Sequence, residues 1–156
     1  MSEEEPKLPY KPQVREVEAG KSVTRKISSE LLDMAGIKGK VTDSGPGIAV
    51  CEDVDPNFRE YYIVRHPWSI YGISNRALEQ GMQNFRKGLP GHGWTITKDG
   101  PARSRNEDPE IFAENKGEKH AVHIIWHRTG ANRKPLIHVN LVSECYKRSI
   151  RGGEQH

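Results

Sequence analysis

The residues of this chain whose types could do chemistry are two cysteines, three late histidines, a short carboxylate run and a glycine-rich turn. Cys51 lies in Ile48-Ala49-Val50-Cys51-Glu52, and Cys145 ends Leu136-Ile137-His138-Val139-Asn140-Leu141-Val142-Ser143-Glu144-Cys145, so the pair brackets the β-rich part of the sequence. Two readings of them stand open. Joined, they would cross-link the first and last strands of a sheet and close a loop of roughly a hundred residues, worth about 4 to 5 kcal/mol. Such a bond belongs outside the reducing cytosol. Unjoined, they would be buried thiols acting as small hydrophobes. Neither suits a nucleophile, which needs a neighbouring base and positive surroundings. Cys51 is followed by Glu52, Asp53 and Asp55, and Cys145 follows Glu144. Their separation also excludes a Cys-x-x-Cys redox pair and a four-ligand zinc motif.

The histidines fall on two strand-like segments, His120 to Arg128 and Leu136 to Cys145, joined by Thr129-Gly130-Ala131-Asn132-Arg133-Lys134, a loop that suits a hairpin. Pairing Arg128 with Pro135 sets Val122, Ile124 and Trp126 opposite Leu141, Val139 and Ile137, all on one face, which is then the core. His123, His127 and His138 share the other face with Ile125, Leu136 and Asn140. Imidazoles suit Zn, Cu or Ni, which makes these three the candidate metal ligands. His123 and His127 are about 13 Å apart along their strand, so at most His138 and one of them could share an ion; histidines on a half-exposed face are the alternative. The glycines of Gly88-Leu89-Pro90-Gly91-His92-Gly93 follow a helix instead of opening one and lack Gly-Lys-Ser/Thr, so they read as a connection rather than a phosphate loop. Glu52, Asp53 and Asp55 lack calcium-loop spacing and read as an acidic strand end. Trp68 and Tyr71 with Arg103, Arg105, Arg133 and Lys134 form the candidate binding rim; the alternative, and the favoured one, for Trp68, Ile70 and Tyr71 just after Pro67 is the lid of the core. With Lys147, Arg148 and Arg151 added, the cations could contact phosphates if they shared a face. No cofactor is expected.

The elements that must position these residues follow from periodicity and capping. Ser22 is an N-cap candidate for a helix carrying Val23, Ile27, Leu31 and Met34, which Gly36 would end. Lys38 to Asp43 and Ile48 to Val54, separated by Ser44-Gly45-Pro46-Gly47, read as a hairpin. Glu60 to His66 is a strand that Pro67 would end or mark as an edge. Ser74 caps a second helix with Leu78, Met82 and Phe85 as its stripe, and Gly88 with Pro90 would terminate it. Trp94 to Thr97 is a short strand, Asp99 to Asp108 an exposed loop, and Glu110 to Glu114 a further strand. The order is α-β-β-β-α-β-β-β-β, an α+β fold with an antiparallel sheet and two helices packed on one face.

The chain's 156 residues, 34% of them hydrophobic, fit one domain with a modest core. We expect a tether over 1–20, rich in Pro and Glu, a single domain over 21–148 and a flexible tail over 149–156. The net charge of +3 comes from 24 basic and 21 acidic residues dispersed along the chain, which gives nucleic acid little long-range attraction. No apolar run approaches bilayer length, and Met1-Ser2-Glu3-Glu4-Glu5-Pro6 is compatible with a secreted chain read from beyond its leader.

Three stretches carry a resemblance: Gly45-Pro46 leading into Cys51; Ala77-Leu78-x3-Met82-x2-Phe85 leading to Gly93-Trp94-Thr95-Ile96; and Val139-x-Leu141-Val142-Ser143-x-Cys145. Over residues 22 to 148 the pattern resembles small secreted proteins and lipoproteins of actinobacteria. The resemblance implies a paired Cys51 and Cys145 and carries over no catalytic residues; attachment to a membrane would run through a lipid anchor not seen in these residues. It favours a non-enzymatic, extracytoplasmic binding or accessory domain whose partner would be another envelope protein or a cell-surface polymer. The rivals are a cytoplasmic nucleic-acid-associated protein of phage or mobile-element type and a metal-binding protein using the histidine face.

Overall fold

The computed structural model describes residues 10–43, 45–52, 54–55, 60–128 and 134–148. Helix α1 (Val17–Ala35) precedes β1 (Lys40–Asp43), β2 (Gly47–Val50) and β3 (Tyr61–Tyr71). Helix α2 (Asn75–Gly91) leads to β4 (Thr95–Pro101), β5 (Pro109–Asn115), β6 (His120–His127), β7 (Leu136–Ser143) and β8 (Tyr146–Lys147). The strands form one antiparallel sheet in the order β1-β3-β7-β6-β5-β4, with β2 and β8 also paired to β3. Both helices pack on one face, which makes the fold α+β as expected, with β8 as an additional short strand. Among the described residues no helix is long and apolar enough to cross a membrane.

Helix α1 starts five residues before Ser22. Its buried positions, Gly20, Thr24, Ile27, Ser28, Leu31 and Ala35, lie on one helical face. The first turn is hidden from a hydrophobic count because it buries a glycine: a Cβ at Gly20 would stand 2.8 Å from the Tyr62 hydroxyl. Val14 bridges Lys147 in parallel, so the packed chain already includes residues ahead of the helix. Gly36, at φ +61°, ends α1 in the left-handed conformation that suits glycine.

Helix α2 opens as expected, with the Ser74 hydroxyl accepting from the Ala77 amide at 3.2 Å. It runs past Gly88 and Pro90 to Gly91. A proline in the last turn removes only one donor, and the Leu89 carbonyl accepts from both His92 (3.0 Å) and Trp94 (3.1 Å) to close the end. The Trp126 indole donates to Asn75 Oδ1 (2.9 Å), tying the start of α2 to β6, and Arg86 pairs with Asp99 (3.0 Å), tying α2 to β4.

Strand β3 does not stop at Pro67. It continues to Tyr71 in the sheet interior, with Pro67 opposite Asn140 on β7. The Ser69 amide points toward β1, where it donates to Thr42 Oγ1 (3.1 Å), so Pro67, two residues earlier, has its nitrogen on the same side. There the neighbour changes from β1, which ends opposite Trp68, to β2, which begins opposite Arg65. The missing donor falls in that gap, so no ladder bond is lost. The β6–β7 register is the one expected, with Val122, Ile124 and Trp126 opposite Leu141, Val139 and Ile137.

The core lies between the helices and the face carrying these side chains, joined by Trp68, Ile70, Leu78, Met82 and Phe85. Two histidines also point into it. His120 Nδ1 donates to the Glu118 carbonyl (2.8 Å), so its Nε2 accepts from Thr24 Oγ1 (2.8 Å). Ser28 Oγ lies 2.6 Å from His66 Nδ1 and accepts from the Trp68 indole at 3.2 Å. Small polar residues on α1 thus satisfy buried polar groups of the sheet, as burial requires.

Candidate functional site

Among the described residues no helix or strand covers the sheet face away from the helices, here the open face, and strand alternation decides what it displays. In β5 it leaves Glu110, Phe112 and Glu114 on that face, in β6 Ala121, His123, Ile125 and His127, and in β7 Leu136, His138, Asn140 and Val142. Phe112 and His123 are cross-strand partners whose rings stack in parallel, 6° apart in plane with centroids 4.2 Å apart. His123 Nε2 donates to Glu110 Oε1 (2.7 Å), and Lys98 Nζ donates to Glu110 Oε2 (2.5 Å). Burial pushes the Glu110 carboxyl up, but the bonds and charges of Lys98 and His123 outweigh it and hold Glu110 below the usual carboxylate range. The open face therefore carries a buried carboxylate anchoring an imidazole beside a phenyl ring.

The three histidines share this face as expected, yet each takes its own partner. His123 bonds Glu110; His127 Nδ1 donates to Asp108 Oδ2 (3.2 Å); His138 Nδ1 lies 3.0 Å from Ser69 Oγ. Burial first, and then the neighbouring His127 and His123 charges, lower the His138 pKa. Among the described residues no group of three or more His, Cys, Asp or Glu is placed to hold a metal ion. The strand spacing that separates His123 from His127 lets each find a local carboxylate instead.

Of the candidate rim residues, Trp68 is withdrawn into the core, while Tyr71, Arg103, Arg105 and Lys134 lie toward the same end of the sheet. Trp68 is buried at 3% exposure and faces α1, because its place in β3 puts it on the core side, whereas Tyr71 lies on the open side. Arg103 and Arg105 are exposed in the turn after β4, and Lys134 is exposed ahead of β7; Arg133 lies outside the described residues. Arg128 donates to the Asn106 and Glu107 carbonyls (2.9 and 3.1 Å), which places that turn beside the β6 end. Lys147 instead pairs with Tyr61, ten residues along β3 from the Tyr71 end and so about 33 Å away. The Arg148 backbone amide donates to the Glu60 carbonyl at that same far end, and Arg151 lies outside the described residues. Among the described residues these cations divide between the two ends of the sheet, Arg103, Arg105 and Lys134 at one and Lys147 and Arg148 at the other.

Cys51 and Cys145 form a disulfide. Cys51 follows β2, and Cys145 sits between β7 and β8, so the bond joins chain segments on either side of β3. Asp55 belongs to this corner as a structural group: its Oδ2 accepts from the Glu60 (2.6 Å) and Tyr61 (2.9 Å) amides. Asp53 lies outside the described residues. A cavity of about 560 Å³ lies against the disulfide, a second of about 560 Å³ lies at the β5–β6 turn at the sheet end, and a third of about 220 Å³ lies on the open face.

Glu110, Lys98 and Phe112 were not singled out by sequence reasoning, and Asn140 was placed on the histidine face without a role. The alternation Glu110-Ile111-Phe112-Ala113-Glu114 was the available signal, because in a strand it displays a phenyl ring and two carboxylates on one face. Comparison with known proteins gives no match to any protein-family model, curated protein or solved structure.

Proposed function

We propose that this chain is a non-enzymatic extracytoplasmic domain, at the cell envelope or secreted, that serves as a binding or accessory module, in keeping with its resemblance to small secreted proteins and lipoproteins of actinobacteria. The Cys51–Cys145 disulfide carries the reading, because such bonds persist in oxidising compartments and are rare where thiols are kept reduced. The rest of the molecule is consistent with a binding role. One sheet face is consumed by the helices, while the other presents an aromatic pair, anchored polar groups and the first of a run of cavities. In this reading the partner is another envelope protein or a cell-surface polymer. The test is thiol labelling of protein in intact cells and after purification without reductant, read by intact mass. Monomeric protein that takes up no label until it is reduced supports the assignment. Two freely labelled cysteines would sink it.

A further inference from the structure

The three cavities are contiguous, running from the open face around its β5–β6 end to the disulfide. Glu114, Ala121 and Val142 line both the smallest cavity and its neighbour, and Tyr10, Ser143 and Glu144 line both that neighbour and the cavity against the disulfide. We propose that this trough, running from the Phe112–His123 stack to the disulfide, binds a linear uncharged oligosaccharide. The proposal rests on the binding-domain reading and names its ligand class.

Shape is the first argument: three cavities joined in series fit a chain of rings rather than one compact ligand. The second is the wall at the Phe112 end. Phe112 is one of three large hydrophobics left exposed among the described residues, at 38%, and Glu110 fixes the imidazole stacked on it. A rigid aromatic surface beside polar groups is what the apolar face and hydroxyl edge of a sugar ring require. The third is hydrogen-bond demand. Asn140 Oδ1 and Glu144 Oε1, both on residues lining the trough, are buried acceptors without a partner. A sugar hydroxyl can donate to the Asn140 amide or the Glu144 carboxylate once rotation of the side-chain head brings an oxygen from burial to the trough wall. A peptide added as a strand would need an open sheet edge, whereas this trough crosses a face whose backbone groups are already paired. Charges of both signs line it, Glu52, Glu114 and Glu144 against Arg65, Lys116 and Lys119, which selects for no net ligand charge.

The test is calorimetric titration of the oxidised protein with cellohexaose and with the N-acetylglucosamine hexasaccharide. Saturable binding of at least one is expected, unchanged at about 0.5 M salt, where charge-driven binding would be screened. Phe112→Ala should weaken it by about three- to tenfold, and Phe112→Trp should retain it. Arg76→Ala, exposed on α2 on the other side of the sheet, should leave affinity unchanged. Circular dichroism establishes that each variant is folded. Oxidised, folded protein that binds neither sugar, or binding indifferent to Phe112→Ala, overturns the ligand assignment and leaves the compartment to the labelling experiment. Free cysteines in cells would overturn the compartment whatever the titration shows.

Discussion

Removing the disulfide with the double variant Cys51→Ala/Cys145→Ala should lower stability by several kcal/mol. The bond spans a sequence separation of 94 residues. On the chain-entropy treatment, a loop of that length lost from the unfolded state is worth about 4.7 kcal/mol at 25 °C. The native state loses little besides, since the half-cystines lie at the junctions of β2, β7 and β8 with β3 and not within the main core between helices and sheet. For a domain of this size each kcal/mol moves the melting temperature by roughly 3 to 5 °C, so a fall of about 14 to 24 °C is expected. The assay is thermal unfolding followed by circular dichroism, comparing oxidised wild type with the double variant under one buffer, with reversibility checked by rescanning. Reduced wild type should match the variant. A folded variant melting within about 3 °C of wild type would refute the entropic account, and would mean that the β2–β8 corner opens locally before the domain unfolds.

Two further outcomes follow from side-chain placement. Trp68→Ala, in the core and hydrogen-bonded to Ser28, should cost about 3 to 5 kcal/mol, whereas Tyr71→Ala, three residues along β3 on the open side, should cost under about 1 kcal/mol; urea midpoints at unchanged slope distinguish them, and equal costs would contradict the facing of β3. Burial lowers the His120 pKa from its ordinary 6.5, with the Glu118 carbonyl offsetting only part. The unfolded state therefore binds the proton first as pH falls, so this contribution to stability is complete above about pH 6.5 and is lost as pH falls from there toward the folded value. Melting temperatures measured from pH 7.5 to pH 5 should fall more steeply in wild type than in His120→Gln, and parallel slopes would refute the assignment.

The element types were legible in the sequence because they rest on local chemistry. The Ser74 cap, the Leu78-Met82-Phe85 stripe and the alternation of β6 and β7 each act within a few residues, and the hairpin register follows from placing one apolar face inward. Features that depend on distant neighbours were not legible. Helix α1 begins at Val17 because Gly20 lets it approach Tyr62, a contact that hydrophobic periodicity does not carry. Pro67 stays inside a strand because two different neighbours leave a gap at its nitrogen, and Trp68 is core rather than rim because that strand continues. Cysteine placement left two states open, and only the antiparallel addition of β8 to β3 brings Cys145 to the end of β2. The same holds for the open face. Sequence alternation determines which side chains of β5, β6 and β7 can appear there, but tertiary packing decides that both helices cover the opposite side, which leaves Phe112, His123 and Asn140 facing out together.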